Sequence, residues 1–236
     1  MKAIICAAGE GKRLRPYTKD NPKCLVKIGD KTIIEHMLDN ISEHNISEVI
    51  IVVGYKKDSV INRLGNKYKN CNIGYITNED YIKTNNMYSL WLAMKDINEE
   101  IIFFNADILF NKKILKNVLD SEQNSIAVAS EIKEDSMRAV IYNNTIKKLG
   151  KNLVGEVKGD AVGIYKLSRE AVKEYFKKAT EIINNGDINC SFVEPINLIA
   201  DKINFQPVFI NEGNWMEIDD LEDYEKANEK IEGIIF

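Results

Sequence analysis

Continuous apolar runs alternate with amphipathic segments along the first half of the chain, and this alternation restricts the fold more than any other feature. The runs Ala3–Ala8, Glu48–Val53 and Glu100–Asn105 contain few polar residues, which is typical of strands covered on both faces of a parallel sheet. Helical patterns such as Thr32–His44 lie between them. The sequence therefore predicts an α/β fold, a Rossmann-like, doubly wound mixed sheet with right-handed crossovers.

The pattern changes after about residue 124. Short strand patterns joined by turns follow, and Asn143-Asn144 is a hairpin signal. Helical segments are predicted at Ser168–Asn184, Phe192–Asp201 and Asp220–Ile231, with a short strand at Trp215–Ile218. No internal repeat or Pro/Gly-rich linker interrupts the chain. We therefore expect a single domain, 1–236, in which a small β-rich portion, 125–236, follows the strand–helix half, 1–124.

The bulk composition argues against several classes of partner. The chain carries 36 acidic and 32 basic residues, a net charge of −4, so no global basic field attracts nucleic acid or an anionic membrane. No apolar run reaches the length of a membrane span or resembles a secretory leader. Four dispersed cysteines and two histidines do not suit a zinc site. We expect a cytoplasmic protein with reduced thiols.

A glycine-rich, cationic segment follows the first predicted strand. Gly9 and Gly11 allow backbone amides to approach a polyphosphate closely, and Lys12, Arg13 and Arg15 add positive charge beside them. The spacing fits neither common phosphate loop: a Rossmann fingerprint needs a small residue at position 14, and a Walker A loop needs a hydroxyl residue at position 13. The segment is therefore either a phosphate loop of another kind or a solvated turn.

The residues that follow make the first interpretation specific. Residues 7–28 resemble the signature of the sugar-nucleotide pyrophosphorylases and related nucleotidyltransferases, a Gly-x-Gly-x-Arg loop with Pro, Thr and then Pro-Lys before an apolar strand. The matching residues here are Gly9, Gly11, Arg13, Pro16, Thr18, Pro22 and Lys23. The resemblance implies that Arg13 and Lys23 neutralise triphosphate charge. It also implies that the backbone of this turn receives the nucleotide, with Ala7, Ala8, Gly9, Gly11 and Lys12 as its binding residues.

Two aspartates follow predicted strands that are far apart in sequence. Asp107 comes after one apolar run and Asp219 after another. Magnesium prefers oxygen ligands, usually one or two carboxylates completed by phosphates and water, and the resemblance implies that such a pair holds Mg²⁺ against the α-phosphate. Glu217 is a third, lesser candidate ligand. The alternative is that both aspartates only cap the following helices, and Asp220 competes with Asp219 for that role.

The segment 78–91 resembles the bacterial phosphocholine cytidylyltransferases, which share its Asn-Asn pair and Tyr-Ser-Leu. Similar enzymes activate aminoethylphosphonate and other small phosphoesters for surface polysaccharide biosynthesis. Amide and hydroxyl groups at the start of a helix suit a pyrimidine edge and a ribose. The candidates are Asn78, Thr84, Asn85, Asn86 and Ser89. The alternative is that the paired asparagines only cap the helix.

The second half carries candidates for an acceptor site. Lys151 falls where the wider family has a lysine that meets the acceptor phosphate, and Tyr165 lies on a strand resembling one that lines the acceptor pocket. Glu194 suits a cationic amine, helped by Phe192 through a cation–π contact. The phosphocholine enzymes resembled here have an aromatic residue near the strand that starts at Met137, and this chain offers Met137 and Arg138 instead. A cation there disfavours choline and suits a second anionic group.

These residues together predict a Mg²⁺-dependent cytidylyltransferase. It would transfer CMP from CTP to a small phosphate- or phosphonate-bearing acceptor, phosphocholine-like or aminoethylphosphonate-like, and release pyrophosphate. Residues 1–124 would bind the nucleotide and 125–236 the acceptor, without nucleic acid or membrane as partner. The alternative is a sugar-1-phosphate nucleotidyltransferase that uses UTP, dTTP or GTP, and a third hypothesis is a non-catalytic nucleotide sensor. Family analogy adds a homodimer.

Overall fold

The computed structural model describes residues 1–122, 124–132, 136–153, 156–211 and 213–235. Of Ile235 it describes the backbone alone. The strands are β1 (Lys2–Ala7), β2 (Lys27–Ile28), β3 (Lys31–Thr32), β4 (Glu48–Val53), β5 (Lys67–Tyr68), β6 (Cys71–Thr77), β7 (Ile101–Asn105), β8 (Ile108–Phe110), β9 (Asn124–Ala129), β10 (Arg138–Tyr142), β11 (Thr145–Gly150), β12 (Val157–Leu167), β13 (Phe205–Ile210) and β14 (Trp215–Glu217). The helices are α1 (Ile33–Glu43), α2 (Lys57–Leu64), α3 (Asn86–Met94), α4 (Lys112–Asp120), α5 (Arg169–Asn184), α6 (Val193–Ile199) and α7 (Leu221–Ile235).

One large mixed sheet forms the centre of the molecule. Its strand order is β11-β10-β12-β7-β1-β4-β6-β5, and β9 joins β12 and β13. Strands β4 and β7 lie parallel to β1 on its two sides, and β6 lies parallel to β4. Strand β12 returns antiparallel to β7. The predicted α/β fold with a mixed, Rossmann-like sheet is therefore confirmed.

Helices cover both faces of this sheet because its apolar strands alternate their side chains between the faces. Ala3 and Ile5 pack in the cluster that includes α1, α2 and α4, whereas Ile4 packs with α3, α5 and α6. Apolar residues of α7 pack with Leu14 in a third cluster, next to the turn that follows β1. In the described part of the chain, no helix is both long and apolar enough to cross a membrane.

A two-stranded ribbon outside the main sheet joins segments that are distant in sequence. Strands β8 and β14 pair antiparallel, with Glu217 opposite Ile108. The backbone N–H of Ile218 donates to the carbonyl oxygen of Asp107 at 2.8 Å. The ribbon therefore fixes Asp107 beside the segment that carries Glu217 and Asp219.

A short turn separates Lys23 from the strand that follows it. Residues Lys23–Leu25 form a 3-10 turn, because the N–H groups of Leu25 and Val26 donate to carbonyl oxygens three residues earlier. The apolar side chains of Leu25 and Val26 are buried, but only the two-residue strand β2 follows. The turn places Lys23 close to Gly11, in the segment that follows β1.

Strand β12 changes its neighbour midway, and the change opens a gap in the sheet. Residues 157–160 pair with β10, and residues 164–167 pair with β7. Both partners lie on the same edge because β9 occupies the opposite edge throughout residues 160–166. Gly163 lies at the switch with φ +86°, and a Cβ there would approach the side chain of Asn105 to 3.1 Å. A glycine is therefore needed for β12 to bend around the end of β7.

Candidate active site

A cavity of about 870 Å³ opens at the carboxyl ends of the parallel strands. Gly9 follows β1, Asn78 follows β6 and Asp107 follows β7, and all three line it. This is the edge at which open α/β sheets bind their ligands. A smaller pocket of about 280 Å³ adjoins it along the glycine turn and shares Arg13 and Asp219 with it.

The glycine turn is held in a single conformation by its neighbours. Gly11 has φ +62°, and a Cβ on it would lie 2.7 Å from the Cβ of Lys23. The hydroxyl of the buried Thr18 donates to the Gly11 carbonyl oxygen at 2.7 Å. The side chain of Leu14 is completely buried below the turn. Both the left-handed backbone and the close approach of Lys23 require glycine here.

Lys23 bridges the two aspartates at the centre of the site. Its ammonium donates to Asp107 Oδ2 and to Asp219 Oδ1, at 2.7 Å each, and Arg13 contacts Asp219 Oδ2 at 3.0 Å. Burial alone would lower the pKa of Lys23, but the two carboxylates outweigh burial and raise that pKa above its usual range. Burial likewise opposes ionisation of Asp219, but Lys23 and Arg13 hold its pKa below the usual range. Lys23 and Asp219 are therefore both charged at neutral pH.

The acidic cluster fits a divalent metal ion. Asp107, Glu217 and Asp219 each place one carboxylate oxygen within 4.8 Å of the others. Asp107 Oδ1 is buried and accepts no hydrogen bond from any described residue. Oxygen atoms of this kind, crowded together and only partly neutralised, are the donors that Mg²⁺ selects. Asp107 and Asp219 would be its main ligands and Glu217 a third.

The pKa of Glu217 is raised by its buried, negatively charged surroundings. Burial first, and then repulsion from Asp107 and Asp219, raises its pKa from 4.5 to about 7. Because a folded-state pKa above the unfolded value means that the folded protein binds the proton more tightly, this group's contribution to stability is greatest below about pH 4.5. That contribution falls as the pH rises toward 7.

Substitution of Glu217 by glutamine should therefore stabilise the metal-free protein above about pH 4.5, and most strongly above about pH 7. In EDTA, we expect the variant's free energy of unfolding to match the wild type near pH 4.5 and to exceed it by about 2–3 kcal/mol at pH 8. Denaturant unfolding at both pH values measures the difference. A gain that is equal at the two pH values would contradict the repulsion account.

The helix-capping alternative for the two aspartates is not what the structure shows. Asn111 caps α4 by accepting a hydrogen bond from the N–H of Lys113 at 2.9 Å. Asp220 begins α7 by accepting from the N–H groups of Glu222 and Asp223 at 2.9 and 3.0 Å. The carboxylates of Asp107 and Asp219 are thereby left to the cluster around Lys23.

The wall formed by the start of α3 carries the other residues expected to bind nucleotide. The residues of this group that line the large cavity are Asn78, Thr84, Asn85, Asn86 and Ser89. Asn78 is nearly completely buried, and its amide donates to Thr84 Oγ1 at 2.9 Å and to Ser89 Oγ at 3.0 Å. The Asn85 side chain accepts from the N–H of Asn86 at 2.8 Å and acts as the helix cap. Much of this polar set therefore organises the wall itself.

The remaining residues of the turn lie at different depths. Ala8, Gly9 and Arg13 line the large cavity, while Gly11 and Lys12 line the smaller pocket. Lys12 pairs with Glu10 at 2.7 Å. Ala7 is buried in β1 and lines neither pocket.

Four of the five residues expected at the acceptor site line the same cavity. These are Lys151, Tyr165, Phe192 and Glu194. Phe192 stands edge-on to Tyr165, with ring centroids 5.0 Å apart. Arg138 does not line the cavity. Its guanidinium instead donates to the carbonyl oxygen of Leu153 at 3.2 Å.

Some cavity residues were missed by the sequence analysis. Asn105 ends β7 and Asp160 lies within β12, and both line the cavity. Asp160 is 2% exposed, and a carboxylate within an otherwise apolar strand pattern is a signal that could have identified it. Asn105 is an uncharged residue at the end of β7, and the sequence alone gave no sign that it lines the cavity. Tyr81 and Ser191 also line the cavity.

The arrangement joins three parts into one site. A polar wall at α3 and an aromatic wall around Phe192 and Tyr165 face one cavity, and the charged cluster lies at the junction between the cavity and the smaller pocket. Cations at such a junction can neutralise the charge of a polyphosphate and orient it toward a second ligand, and carboxylates beside them can hold a divalent metal ion.

Comparison with known proteins gives consistent matches. Residues 2–139 match the family model described as nucleotidyl transferase. The chain is 29% identical to the CTP:phosphoglutamine cytidylyltransferase of Campylobacter jejuni, over 98% of this chain and 100% of that protein. It is 30% identical to the choline-phosphate cytidylyltransferase of Streptococcus pneumoniae, over 97% of each chain.

A solved structure shows the same architecture. The CTP:phosphocholine cytidylyltransferase from Streptococcus pneumoniae superposes with a TM-score of 0.80 over 98% of both chains, at 22% sequence identity. At this identity the superposition establishes a shared fold. The sequence matches and the structural match cover nearly the whole chain.

Proposed function

The chain belongs to the nucleotidyl transferase family, and from that premise we propose that it transfers CMP from CTP to a small phosphate-bearing acceptor and releases pyrophosphate. The full-length relatives that act on phosphoglutamine and on choline phosphate both support a cytidine nucleotide and a phosphate monoester as the two substrates. The dimensions of the cavity also support this pairing, because about 870 Å³ accommodates a nucleotide beside a small second ligand.

The reaction requires positioning more than covalent chemistry. An oxygen of the acceptor's phosphate attacks the α-phosphorus of CTP and forms a new phosphorus–oxygen bond. The bond between the α-phosphorus and the oxygen that bridges to the β-phosphate breaks, and pyrophosphate leaves on the side opposite the attacking oxygen. Arg13 and Lys23 bind the β- and γ-phosphates from the smaller pocket and neutralise the charge that develops on the leaving group. No side-chain nucleophile takes part.

The metal requirement belongs to the same proposal. We assign Mg²⁺ to Asp107 and Asp219, with Glu217 beside them. When bound, the ion supplies positive charge to the α-phosphate and its leaving group. The unpartnered Oδ1 of Asp107 supports this assignment.

The observation that carries the proposal is the position of Lys23. A single ammonium contacts both aspartates, which come from opposite halves of the chain, and lies on the wall of the pocket formed by the glycine turn. A triphosphate in that pocket offers the ammonium another anionic partner and leaves the aspartates available to the metal. The geometry thus connects the polyphosphate site to the metal site through one side chain.

Pyrophosphate release with a panel of nucleotides tests the proposal. Each of CTP, UTP, dTTP, GTP and ATP is incubated with Mg²⁺ and one acceptor from a panel of phosphocholine, phosphoethanolamine, phosphoglutamine, aminoethylphosphonate, inositol 1-phosphate and glucose 1-phosphate. We expect pyrophosphate release that needs CTP, Mg²⁺ and a small non-sugar phosphate together. Equal or faster release from UTP, dTTP or GTP with glucose 1-phosphate would instead favour the sugar-nucleotide alternative.

A further inference from the structure

We propose that Asn86 makes the site specific for cytosine because only the NH₂ end of its amide is available to the base. The inference rests on the proposed function and identifies the side chain that would select the nucleotide. Asn86 lies at the first position of α3, on the wall that the cavity shares with Ala8 and Ser89.

The orientation of the Asn86 amide is fixed by the main chain. Its Oδ1 accepts a hydrogen bond from the backbone N–H of Phe192 at 3.0 Å. A backbone N–H can only donate, so the atom facing it must be the amide oxygen. The NH₂ group is then the only polar part of this side chain that remains for a ligand. The loop before α6, which carries the aromatic acceptor wall, thereby sets the orientation of a group on the nucleotide wall.

The neighbouring side chains already have partners within the wall. Asn78 uses both ends of its amide, since its Oδ1 accepts from the N–H of Asp80 and its NH₂ donates to Thr84 and Ser89. Thr84 donates its hydroxyl proton to the carbonyl oxygen of Asp80 at 3.0 Å. Ser89 accepts from Asn78 and keeps its own proton for a further partner. Among Asn78, Thr84, Asn86 and Ser89, the groups left for a ligand are therefore two donors, the Asn86 NH₂ and the Ser89 hydroxyl.

Two donors on the protein suit cytosine, but they do not suit a base that has an N–H group where cytosine has its N3 acceptor. The Watson–Crick edge of cytosine has two adjacent acceptors, N3 and O2. Uracil and thymine carry an N–H at position 3, and guanine carries one at position 1. Placing a donor against such an N–H leaves both groups without an acceptor in a partly closed site, and sites built this way reject the wrong ligand strongly.

The variant Asn86→Asp tests this directly. Aspartate has nearly the same shape, retains an oxygen for the N–H of Phe192, and replaces the NH₂ donor by an acceptor. A negative charge in the first turn of a helix is favourable, so the fold should persist. Binding of CDP and UDP is measured by titration calorimetry with Mg²⁺. We expect the wild type to prefer CDP and the variant to lose at least about tenfold of that preference.

The variant Asn62→Asp is the matched control. Asn62 is exposed on α2 and lines neither pocket, so the same substitution there should leave the CDP preference equal to that of the wild type. A second test needs no variant: the diphosphate of 3-deazacytidine, which lacks the N3 acceptor, should bind the wild type at least about tenfold more weakly than CDP.

The inference fails if Asn86→Asp keeps the wild-type preference, or if the 3-deaza nucleotide binds as tightly as CDP. Both measurements report binding and do not depend on turnover. Loss of the CDP preference in Asn86→Asp, together with pyrophosphate release in none of the reactions, would refute the proposed reaction while supporting the base selection. The converse result, CTP-dependent turnover with no effect of Asn86→Asp, would refute only the role of Asn86.

Discussion

Replacement of Asp107 by asparagine is expected to lower kcat/KM for CMP transfer by about a thousandfold or more. The change removes one negative charge from the acidic cluster and one of the two partners of Lys23, but leaves the shape of the side chain unchanged. Most of the loss should fall on kcat, because the walls that bind the nucleotide and the acceptor are not altered. Steady-state pyrophosphate release, with thermal unfolding as a check of the fold, measures the effect.

A matched control separates the cluster from general loss of charge. Asp20 is an exposed aspartate in the same half of the chain, and Asp20→Asn should leave kcat/KM unchanged. Wild-type activity in Asp107→Asn would show that this carboxylate does not hold the metal, and the proposed active site would then be wrong.

Substitution of Lys23 by methionine should have two opposite effects. CMP transfer should fall by about a hundredfold or more, because the polyphosphate loses a buried cation. Binding of Mn²⁺ without nucleotide should become at least about tenfold tighter, because the ammonium no longer competes for Asp107 and Asp219. The metal-free variant should also be less stable, since an acidic cluster that has lost its counter-ion is strongly unfavourable. Calorimetric titration with Mn²⁺ and unfolding in EDTA measure these changes.

Lys12 provides the comparison for Lys23. It lies in the same turn, and among the described residues it forms an ion pair with Glu10 alone, so Lys12→Met should alter Mn²⁺ binding little. If Lys23→Met bound Mn²⁺ no more tightly than the wild type, competition between the lysine and a metal would be excluded.

The sequence predicted those parts of the fold that repeat a periodic pattern. The buried strands of the parallel sheet were found because helices on both faces require continuous apolar runs, such as β4 and β7. Strands β8 and β14 contain three residues each, which is too short to show a period. The pairing of β8 with β14 could therefore not be predicted, although it brings Asp107 close to Glu217.

In the candidate site, too, the sequence predicted residues that belong to a local motif but not the contacts between distant segments. A motif with fixed spacing pointed to Arg13 and Lys23, and the structure brings both to Asp219. Contacts between distant segments were not visible in the sequence. Asn86 was identified as a polar residue at a helix start, but its bond to the N–H of Phe192 depends on how α3 meets the loop before α6. Arg138 was expected at the acceptor site from the resemblance to the phosphocholine enzymes, whereas it does not line the cavity and its guanidinium donates to the carbonyl oxygen of Leu153.

A ³¹P NMR spectrum of the reaction products tests the central claim most directly. The protein is incubated with Mg²⁺, CTP and each phosphate monoester of the panel in turn. We predict that one acceptor gives a new pair of coupled diphosphate resonances, from a cytidine diphosphate ester, together with an equal amount of pyrophosphate. Formation of CDP and inorganic phosphate, or of no diphosphate ester with any acceptor, would contradict the account.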